Sequence, residues 1–475
     1  MPKMPTMPRS PLADAELRLL ARVERVPFGR FQWRLLWMGG MGYTFDAMDG
    51  ALIAFILPAV TALWHLTDKQ TGWLGSSAMI GYLFGAFFAG ALGDLVGRRA
   101  VMMYALAIYS AATLVAAFAP SWEVLFGWRV VASVGTGAES AIIAPFLAEF
   151  VGKRHRGRFT GSLSGFFSFG FVFAALLGYF VIPASPDGWR IVQVVSALPI
   201  AMLLWWRRSL PESPRWLIER GRTAEAEACV ARIEAEATRG GRALPAVPAV
   251  TPEDAAQPAA AHSTGTFGGN LAALWSPGVR RTTIMLWILW LAITFSYYGF
   301  FTWIPSLLVK QGMTTTRSFG YSIIIYLAQI PGYYSAAFVS EKLDRKWTIV
   351  LYMVAGGIAA YAMSGAASAA AITLAGFWLS FFMNGTYAGI YAYTPELYPT
   401  AFRTTGMGVA SAFGRIGGLS APIVIGHAFA SIGFAGVFAI TTVVLVTGAA
   451  SVAVLGIRTA GKSLEQIAAE RRARA

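Results

Sequence analysis

Five charged residues interrupt long apolar stretches of the sequence: Asp46, Asp49, Arg129, Glu139 and Arg415. A charge in a low-dielectric interior is costly unless it is paired, so charges that persist there are usually functional. Asp46 and Asp49 are one helical turn apart on a similar face, and either could pair with Arg129. A carboxylate that gains and loses such a partner can release and take up a proton. These residues predict proton transfer coupled to a change of conformation, with a static ion pair as the alternative.

Arg415 suggests a different chemistry, because no acidic residue in the second half of the chain lies at a comparable depth within an apolar stretch. It falls about 17 Å into its apolar stretch at a helical rise of ~1.5 Å per residue. A guanidinium pairs best with a planar carboxylate, so we expect an anionic ligand here. The alternative is a salt bridge from Arg415 to Asp46 or Asp49. Glu139 falls near the inner edge of its stretch and is expected to be a gating or structural acid.

Aromatic and amide side chains accompany these charges in three further stretches. Most aromatic residues in such stretches pack in the core or face outward, but several fall where the inner helices of a bundle would converge. We therefore predict an aromatic-lined binding pocket formed by Arg415, Tyr297, Tyr298, Asn384, Tyr387 and Phe166.

The composition indicates which elements position these residues. Of 475 residues, 56% are hydrophobic and 13% are charged, which is more apolar than a soluble domain of this size. A membrane-spanning helix needs roughly 20 mostly apolar residues, and we identify twelve such stretches. We predict an all-α membrane protein of twelve transmembrane helices in two six-helix bundles. Its segments are an N-terminal segment (1–30), a first bundle (31–210), a linker with a short helix (211–279), a second bundle (280–458) and a basic tail (459–475).

The net charge of +14 comes from Lys and Arg in the loops on one side of this twelve-span arrangement. The positive-inside rule then predicts that both termini are cytoplasmic. A nucleic-acid partner is excluded, because these charges are not gathered on a soluble face. The first thirty residues lack the apolar core and cleavage site of a signal peptide. The single cysteine, Cys229, cannot form an internal disulfide and is expected to be inert.

The two halves of the chain repeat a pattern of loop charges. Four pairs of residues are each separated by 247 positions: Asp94 and Glu341, Arg98 and Arg345, Glu149 and Glu396, and Arg156 and Arg403. Four coincident offsets predict an internal duplication, as expected for a parallel repeat of two bundles.

Four segments resemble known transporter motifs. The run GALGDLVGRR at 90–99 is similar to the signature loop of the major facilitator superfamily. PESPRWL at 211–217 and YTPELYPTAFRTTGMG at 393–408 resemble its sugar-porter branch, including the organic-ion and niacin-permease relatives. RVVASVGTGAE at 129–139 resembles the fourth-span motif, with Ser133 replacing the first glycine. The resemblance implies a multi-pass transporter of a small solute in the bacterial inner membrane, acting as a monomer.

In such a transporter, the eight repeated charges can act as a latch. We expect Asp94, Arg98, Glu149 and Arg156 in one half to pair with Glu341, Arg345, Glu396 and Arg403 in the other half when the cytoplasmic gate is shut. They would separate when it opens. The alternative is that these are ordinary solvated loop charges, which contribute little.

The resemblance also bears on the substrate. The acid and arginine, Asp46 and Arg129, resemble the coupling pair of proton symporters, and organic-anion relatives carry a cation near Arg415. The stretch WLAITFSYYG at 290–299 lacks the Gln and Asn with which sugar porters bind hydroxyl groups. We predict proton-coupled uptake of a small aromatic carboxylate, with nicotinate as the first candidate.

Three alternatives remain open. They are a sugar–proton symporter, an organic-cation carrier that uses Asp46, Asp49 and Glu139 with aromatic faces, and a non-transporting membrane sensor. We predict no enzyme, no cofactor and no metal site, because the sequence has no nucleotide-binding loop and no His and Cys cluster with metal-ligand spacing.

Overall fold

The computed structural model describes residues 11–239, 243–247, 267–399 and 402–459. All regular structure in these ranges is helical. The first half contains α1 (Pro11–Glu24), α2 (Arg30–Trp64), α3 (Asp68–Val96), α4 (Arg98–Ala116), α5 (Trp122–Ala148), α6 (Lys153–Val181), α7 (Gly188–Ser196), a 3₁₀ turn (Leu198–Ala201) and α8 (Met202–Ser209). The linker carries α9 (Pro214–Glu219) and α10 (Thr223–Thr238).

The second half contains α11 (Phe267–Ala273), α12 (Pro277–Lys310), α13 (Thr315–Leu327), α14 (Gln329–Leu343), α15 (Arg345–Ser364), α16 (Ala369–Leu397) and α17 (Arg403–Leu455). Helix α17 is broken at Gly433, where φ is 62° and ψ is −167°. This region of backbone space favours glycine, so Gly433 permits a sharp turn between two passes.

Within the described ranges, ten segments are long and apolar enough to cross a membrane. One of them, Thr405–Leu455, has 51 residues and makes two passes around Gly433. The sixth pass is divided into α7, the 3₁₀ turn and α8, because Pro199 lacks the N–H group that an unbroken helix needs. The predicted twelve-pass, all-α architecture is therefore confirmed.

Glycines allow the helices of the first bundle to pack backbone against backbone. A Cβ atom at Gly81 or Gly85 of α3 would overlap the carbonyl groups of Val130 and Val134 on α5, and one at Gly137 would overlap Tyr82. Close approach through small residues is the usual way in which membrane helices associate.

Ser133, which departs from the usual fourth-span motif, is accommodated by the facing helix. Its Cβ would lie 2.8 Å from a Cβ placed on Gly81, so the glycine required by this contact comes from α3 rather than from α5. The substitution in the motif therefore preserves the close packing of the two helices.

The two halves meet along α3 and α17 and close against each other at one end. Lys310 forms an ion pair with Asp68, the Ser76 hydroxyl donates to the Leu419 carbonyl over 2.9 Å, and Gly72 packs against the backbone at Pro422. We call this the closed end. The other end carries Arg98, Arg345 and the linker helices, and we call it the basic end.

Candidate functional site

Arg129 and Asp49 form a fully buried ion pair inside the first bundle. The Arg129 Nη1 atom lies 2.6 Å from Asp49 Oδ1, and Nη2 donates to the Asp49 carbonyl over 2.9 Å. The Ser196 hydroxyl donates to the same carboxylate oxygen over 3.3 Å. The sequence left two acids as partners for Arg129 and favoured Asp46, but the observed partner is Asp49.

Asp46 lies one turn from this pair and is almost fully buried. Neither of its carboxyl oxygens has a hydrogen-bond partner among the described residues, and the same holds for both oxygens of Glu139 on α5. Asp49, Asp46 and Glu139, described residues inside the first bundle, are therefore one paired acid and two unpaired acids. Unpaired buried carboxyl groups are expensive to keep charged, so each is suited to take up a proton.

Arg415 lies where the halves meet, with its guanidinium carbon 4.4 Å from the centre of the Tyr82 ring on α3. The Tyr82 hydroxyl is hydrogen-bonded to the Ser140 hydroxyl on α5. Among the described residues, Arg415 forms no ion pair, so the alternative salt bridge to Asp46 or Asp49 is not observed. The half-buried guanidinium, which belongs to the second half, thus contacts an aromatic ring of the first half.

A cluster of tyrosines lies beside Arg415. The ring centres of Tyr297 and Tyr298 are 5.3 Å apart, and those of Tyr297 and Tyr387 are 5.2 Å apart. The Tyr387 hydroxyl donates to Thr294 Oγ1 over 3.3 Å. A Cβ on Gly418, one turn beyond Arg415, would lie 2.8 Å from the Tyr298 ring. Three of the predicted aromatic residues therefore converge near the arginine.

Asn384 lies one turn before Tyr387 on α16, and its amide donates to the Ser380 carbonyl of the same helix over 3.0 Å. Phe166 is placed differently from the prediction. Its ring contacts Trp37 at 5.5 Å and Phe169 at 5.8 Å, and these two side chains are 55% and 50% exposed. The ring contacts of Phe166 therefore lie with these exposed side chains and not with the tyrosine cluster.

Several residues that the sequence did not single out complete the cluster. Phe171 of α6 takes the place expected of Phe166, with its ring 6.0 Å from that of Tyr297. Tyr82 contacts Arg415 directly, and Tyr391 packs 5.2 Å from Trp290 while 54% exposed. Phenylalanines occur at five positions between 166 and 173, so spacing alone carries no signal that selects Phe171.

The latch residues form the same pair in each half. Arg98 forms an ion pair with Glu149, and Arg345 lies 3.0 Å from Glu396. These pairs are related by the 247-residue offset, but each lies within its own half. The expected pairing between halves is therefore not what these residues do in this conformation.

The remaining latch residues are only partly described. Arg156 pairs with Glu24 at 2.9 Å and also donates to carbonyl groups at the end of α5, so its partner is not one of the predicted acids. The side chains of Asp94, Glu341 and Arg403 lie outside the described residues.

The PESPRWL segment holds the basic-end loop of the first half. The Glu212 carboxylate accepts from the backbone N–H groups of Arg99 at 3.2 Å and Ser213 at 2.9 Å. It lies against Gly97, whose φ of 102° favours glycine. The Ser213 hydroxyl donates to Glu149, so this acid binds both the loop arginine and the linker.

Helix α10 is fastened to the first half by charge pairs. Glu234 accepts hydrogen bonds from Arg22 and Arg25, each with a contact of 2.7 Å, and Arg34 binds Glu236 through two contacts of 2.9 Å. Burial alone would raise the pKa of Glu234, but the two arginines outweigh it and hold this pKa below its ordinary value. Nearby, burial raises the pKa of the Cys229 thiol to about 11.

Comparison with known proteins agrees with this architecture. Residues 39–470 match the family model described as sugar (and other) transporter. The chain belongs to this family of the major facilitator superfamily. It is therefore a multi-span secondary transporter, a class of protein that is not an enzyme.

Two bacterial relatives cover nearly the whole of this transporter. It is 41% identical to the niacin transporter NiaP of Acinetobacter baylyi, over 94% of this chain and 99% of the relative. It is 34% identical to the putative niacin/nicotinamide transporter NiaP of Bacillus subtilis, over 91% and 98%. The xylose transporter XylE of E. coli, in a partially occluded inward-open conformation, shares the fold with a TM-score of 0.73 at 16% identity, over 92% of this chain and 100% of XylE.

Proposed function

We propose that this transporter takes up nicotinate, or a closely similar aromatic monocarboxylate, together with protons. The observation that carries the proposal is Arg415, a half-buried guanidinium that faces the Tyr82 ring instead of a carboxylate. Such a group is complementary to a planar carboxylate, which it can bind through two parallel hydrogen bonds. The two NiaP relatives, named for niacin, support the same choice of substrate.

The tyrosines beside Arg415 suit the ring of such a substrate. Tyr82 belongs to the first half, whereas Tyr298 and Tyr387 belong to the second, so a ligand between them would contact both bundles. Ring-to-ring contacts contribute about 0.5–1.5 kcal/mol each beyond the area they bury. A site at the junction of the two repeats is also where alternating access can expose it to either side.

The buried acids Asp49 and Asp46 have different roles in proton coupling. Asp49 neutralises Arg129 and fixes its position, while Asp46 has no partner among the described residues. Asp46 can therefore take up a proton without breaking the ion pair. The neutral and charged forms of Asp46 differ strongly in cost at this depth, so protonation biases one conformation over the other.

The two ends of the protein act as gates. The basic end lies in the cytoplasm by the positive-inside rule, so the closed end faces outward and this conformation is directed toward the cytoplasm. The Lys310–Asp68 pair and the contacts of Gly72 hold the outer gate shut. Arg98–Glu149 and Arg345–Glu396 hold the loops of each half in the arrangement that accompanies this state. Asp94, Glu341 and Arg403 stay predicted members of the latch.

One observation favours a second candidate, an organic-cation carrier. Asp46 and Glu139 are unpartnered buried acids in a protein rich in tyrosine rings, and both features attract a cation. Such a ligand would have to bind despite the positive charge of Arg415, which makes it the weaker candidate.

A competition panel in proteoliposomes tests the substrate. Uptake of labelled nicotinate is driven by an imposed pH gradient, and benzoate, nicotinamide, glucose and tetraethylammonium are added separately as competitors. We expect unlabelled nicotinate and benzoate to compete well, nicotinamide less strongly, and glucose and tetraethylammonium hardly at all. Competition by tetraethylammonium or glucose with no effect of benzoate would overturn the anion proposal.

A further inference from the structure

Glu139 is a fully buried acid that the transport mechanism above does not use. It lies nine residues before the last residue of α5, and both carboxyl oxygens lack a hydrogen-bond partner among the described residues. Burying a carboxyl group without a partner costs several kcal/mol, a cost that a leucine at this position would avoid. An ionisable residue within a transmembrane helix is by default a candidate functional group.

The structure leaves room for this carboxyl group on the facing helix α2. A Cβ atom on Gly42 would lie 2.7 Å from Glu139 Oε1, so any larger residue there would displace the carboxyl group. Gly42 is one helical turn from Asp46 on the same face of α2. Asp49, the partner of Arg129, is one turn from Asp46 in the other direction, so the three acids lie close to one another.

These acids form a series along the first bundle. Asp49, paired with Arg129, lies nearest the closed end, Asp46 follows it, and Glu139 comes next toward the basic end. Along α5, Glu139 is about 15 Å from Arg129 and about 15 Å from Glu149, at ~1.5 Å per residue. It therefore lies midway between the buried ion pair and the basic end.

Among the described residues, the other ionisable groups around Glu139 are tyrosines whose hydroxyl groups are already bound elsewhere. Tyr43 of α2 donates to the Ser140 carbonyl over 3.2 Å, and Tyr82 of α3 bonds with the Ser140 hydroxyl. Tyr109 of α4 donates to the Ser196 carbonyl. From α6, the Phe167 ring stacks on Tyr43 at 4.4 Å, and the Trp206 ring of α8 lies beside Gly42. Asp46 is thus the neighbour with which Glu139 can exchange a proton.

We propose that Glu139 is a second proton carrier, which takes the proton from Asp46 and releases it at the basic end. The Asp46 O–H bond breaks as its proton joins the Glu139 carboxylate, so Asp46 becomes charged and Glu139 neutral. Once Asp46 has taken up its next proton, Glu139 releases its own to water that enters from the basic end and regains its charge. At most one of the two carboxylates is then charged at any stage, which avoids the cost of two charged carboxylates in one dry site.

This inference rests on the proposed proton coupling, and the test separates the two. Nicotinate is added outside proteoliposomes that contain a pH-sensitive dye, and its entry and that of protons are recorded together. The variants are Glu139→Gln, Glu139→Asp and, as a matched control on the same helix, Glu123→Gln, because Glu123 is exposed in the first turn of α5. Exchange of labelled for unlabelled nicotinate without a gradient is measured in parallel.

The relay predicts that Glu139→Gln lowers proton entry per nicotinate at least tenfold while exchange persists. Glu139→Asp should recover part of the coupling with a changed pH profile, and Glu123→Gln should behave as wild type. Normal coupling in Glu139→Gln overturns the relay alone, and loss of exchange together with coupling shows that Glu139 is structural. Absence of proton entry with nicotinate in the wild type refutes the proposed coupling itself.

Discussion

Replacing Arg415 with alanine tests the substrate site most directly. The guanidinium is half-buried, it stacks on Tyr82, and it has no acidic partner among the described residues, so its charge is free for a ligand. Removing one partner of a desolvated ion pair costs on the order of 3–5 kcal/mol. Because Arg415 keeps some contact with water, we take the lower end, about 3 kcal/mol, which corresponds to roughly a hundredfold loss in affinity.

The neutral analogue nicotinamide provides the matched ligand. It keeps the ring but carries no charge, so its affinity for Arg415→Ala should fall by about tenfold at most, since it loses only a neutral hydrogen bond of roughly 0.5–1.5 kcal/mol. Arg415→Lys should recover part of the nicotinate affinity, because a lysine supplies a point charge without the planar fork. Dissociation constants are measured by equilibrium binding to purified protein. Equal losses for nicotinate and nicotinamide, or no loss for either, would refute the carboxylate contact.

Three further predictions concern protons and helix pairing. Asp46→Asn should abolish accumulation of substrate driven by a pH gradient, while exchange continues. Asp49→Asn should also lower the thermal unfolding midpoint, because it leaves the buried Arg129 unpaired. Equal unfolding midpoints for the Asp46→Asn and Asp49→Asn variants would contradict this. Charge reversal at Arg345 or Glu396 alone should slow transport, and the double reversal should restore much of it if their 3.0 Å ion pair matters. The pKa of Glu234 is lowered in the folded state, so its ion pairs stabilise α10 above the ordinary Glu pKa. This stabilisation is lost as the pH falls through the folded pKa. Faster amide hydrogen exchange in α10 at acid pH, relative to its intrinsic rate, would show the loss.

The spans and the internal repeat were predictable from the sequence because they depend on composition and spacing. The partner of Arg129 was not. Asp46 and Asp49 both lie toward α5 at similar depths, and only the rotation and axial register of α2 against α5 decide which of them reaches Arg129. That rotation is set by packing across the whole bundle. The same reason explains why Phe171, rather than Phe166, reaches the tyrosine cluster.

The loop charges illustrate a second limit of prediction from residue spacing. A constant offset of 247 residues identifies equivalent positions in the two halves, and the pairs Arg98–Glu149 and Arg345–Glu396 preserve that equivalence. Opposite charges are equally compatible with pairing inside a half or between halves. The choice depends on the conformation of the whole protein, which residue spacing does not encode.

The chemistry of the single cysteine makes this protein convenient for spectroscopy. Cys229 is buried, and its pKa of about 11 leaves little reactive thiolate at neutral pH. Cysteines introduced at the exposed positions Lys69 and Gln311, next to the Asp68–Lys310 ion pair, would therefore accept probes selectively without removal of the native thiol. The distance between two such probes would report the opening of the outer gate in otherwise unmodified protein.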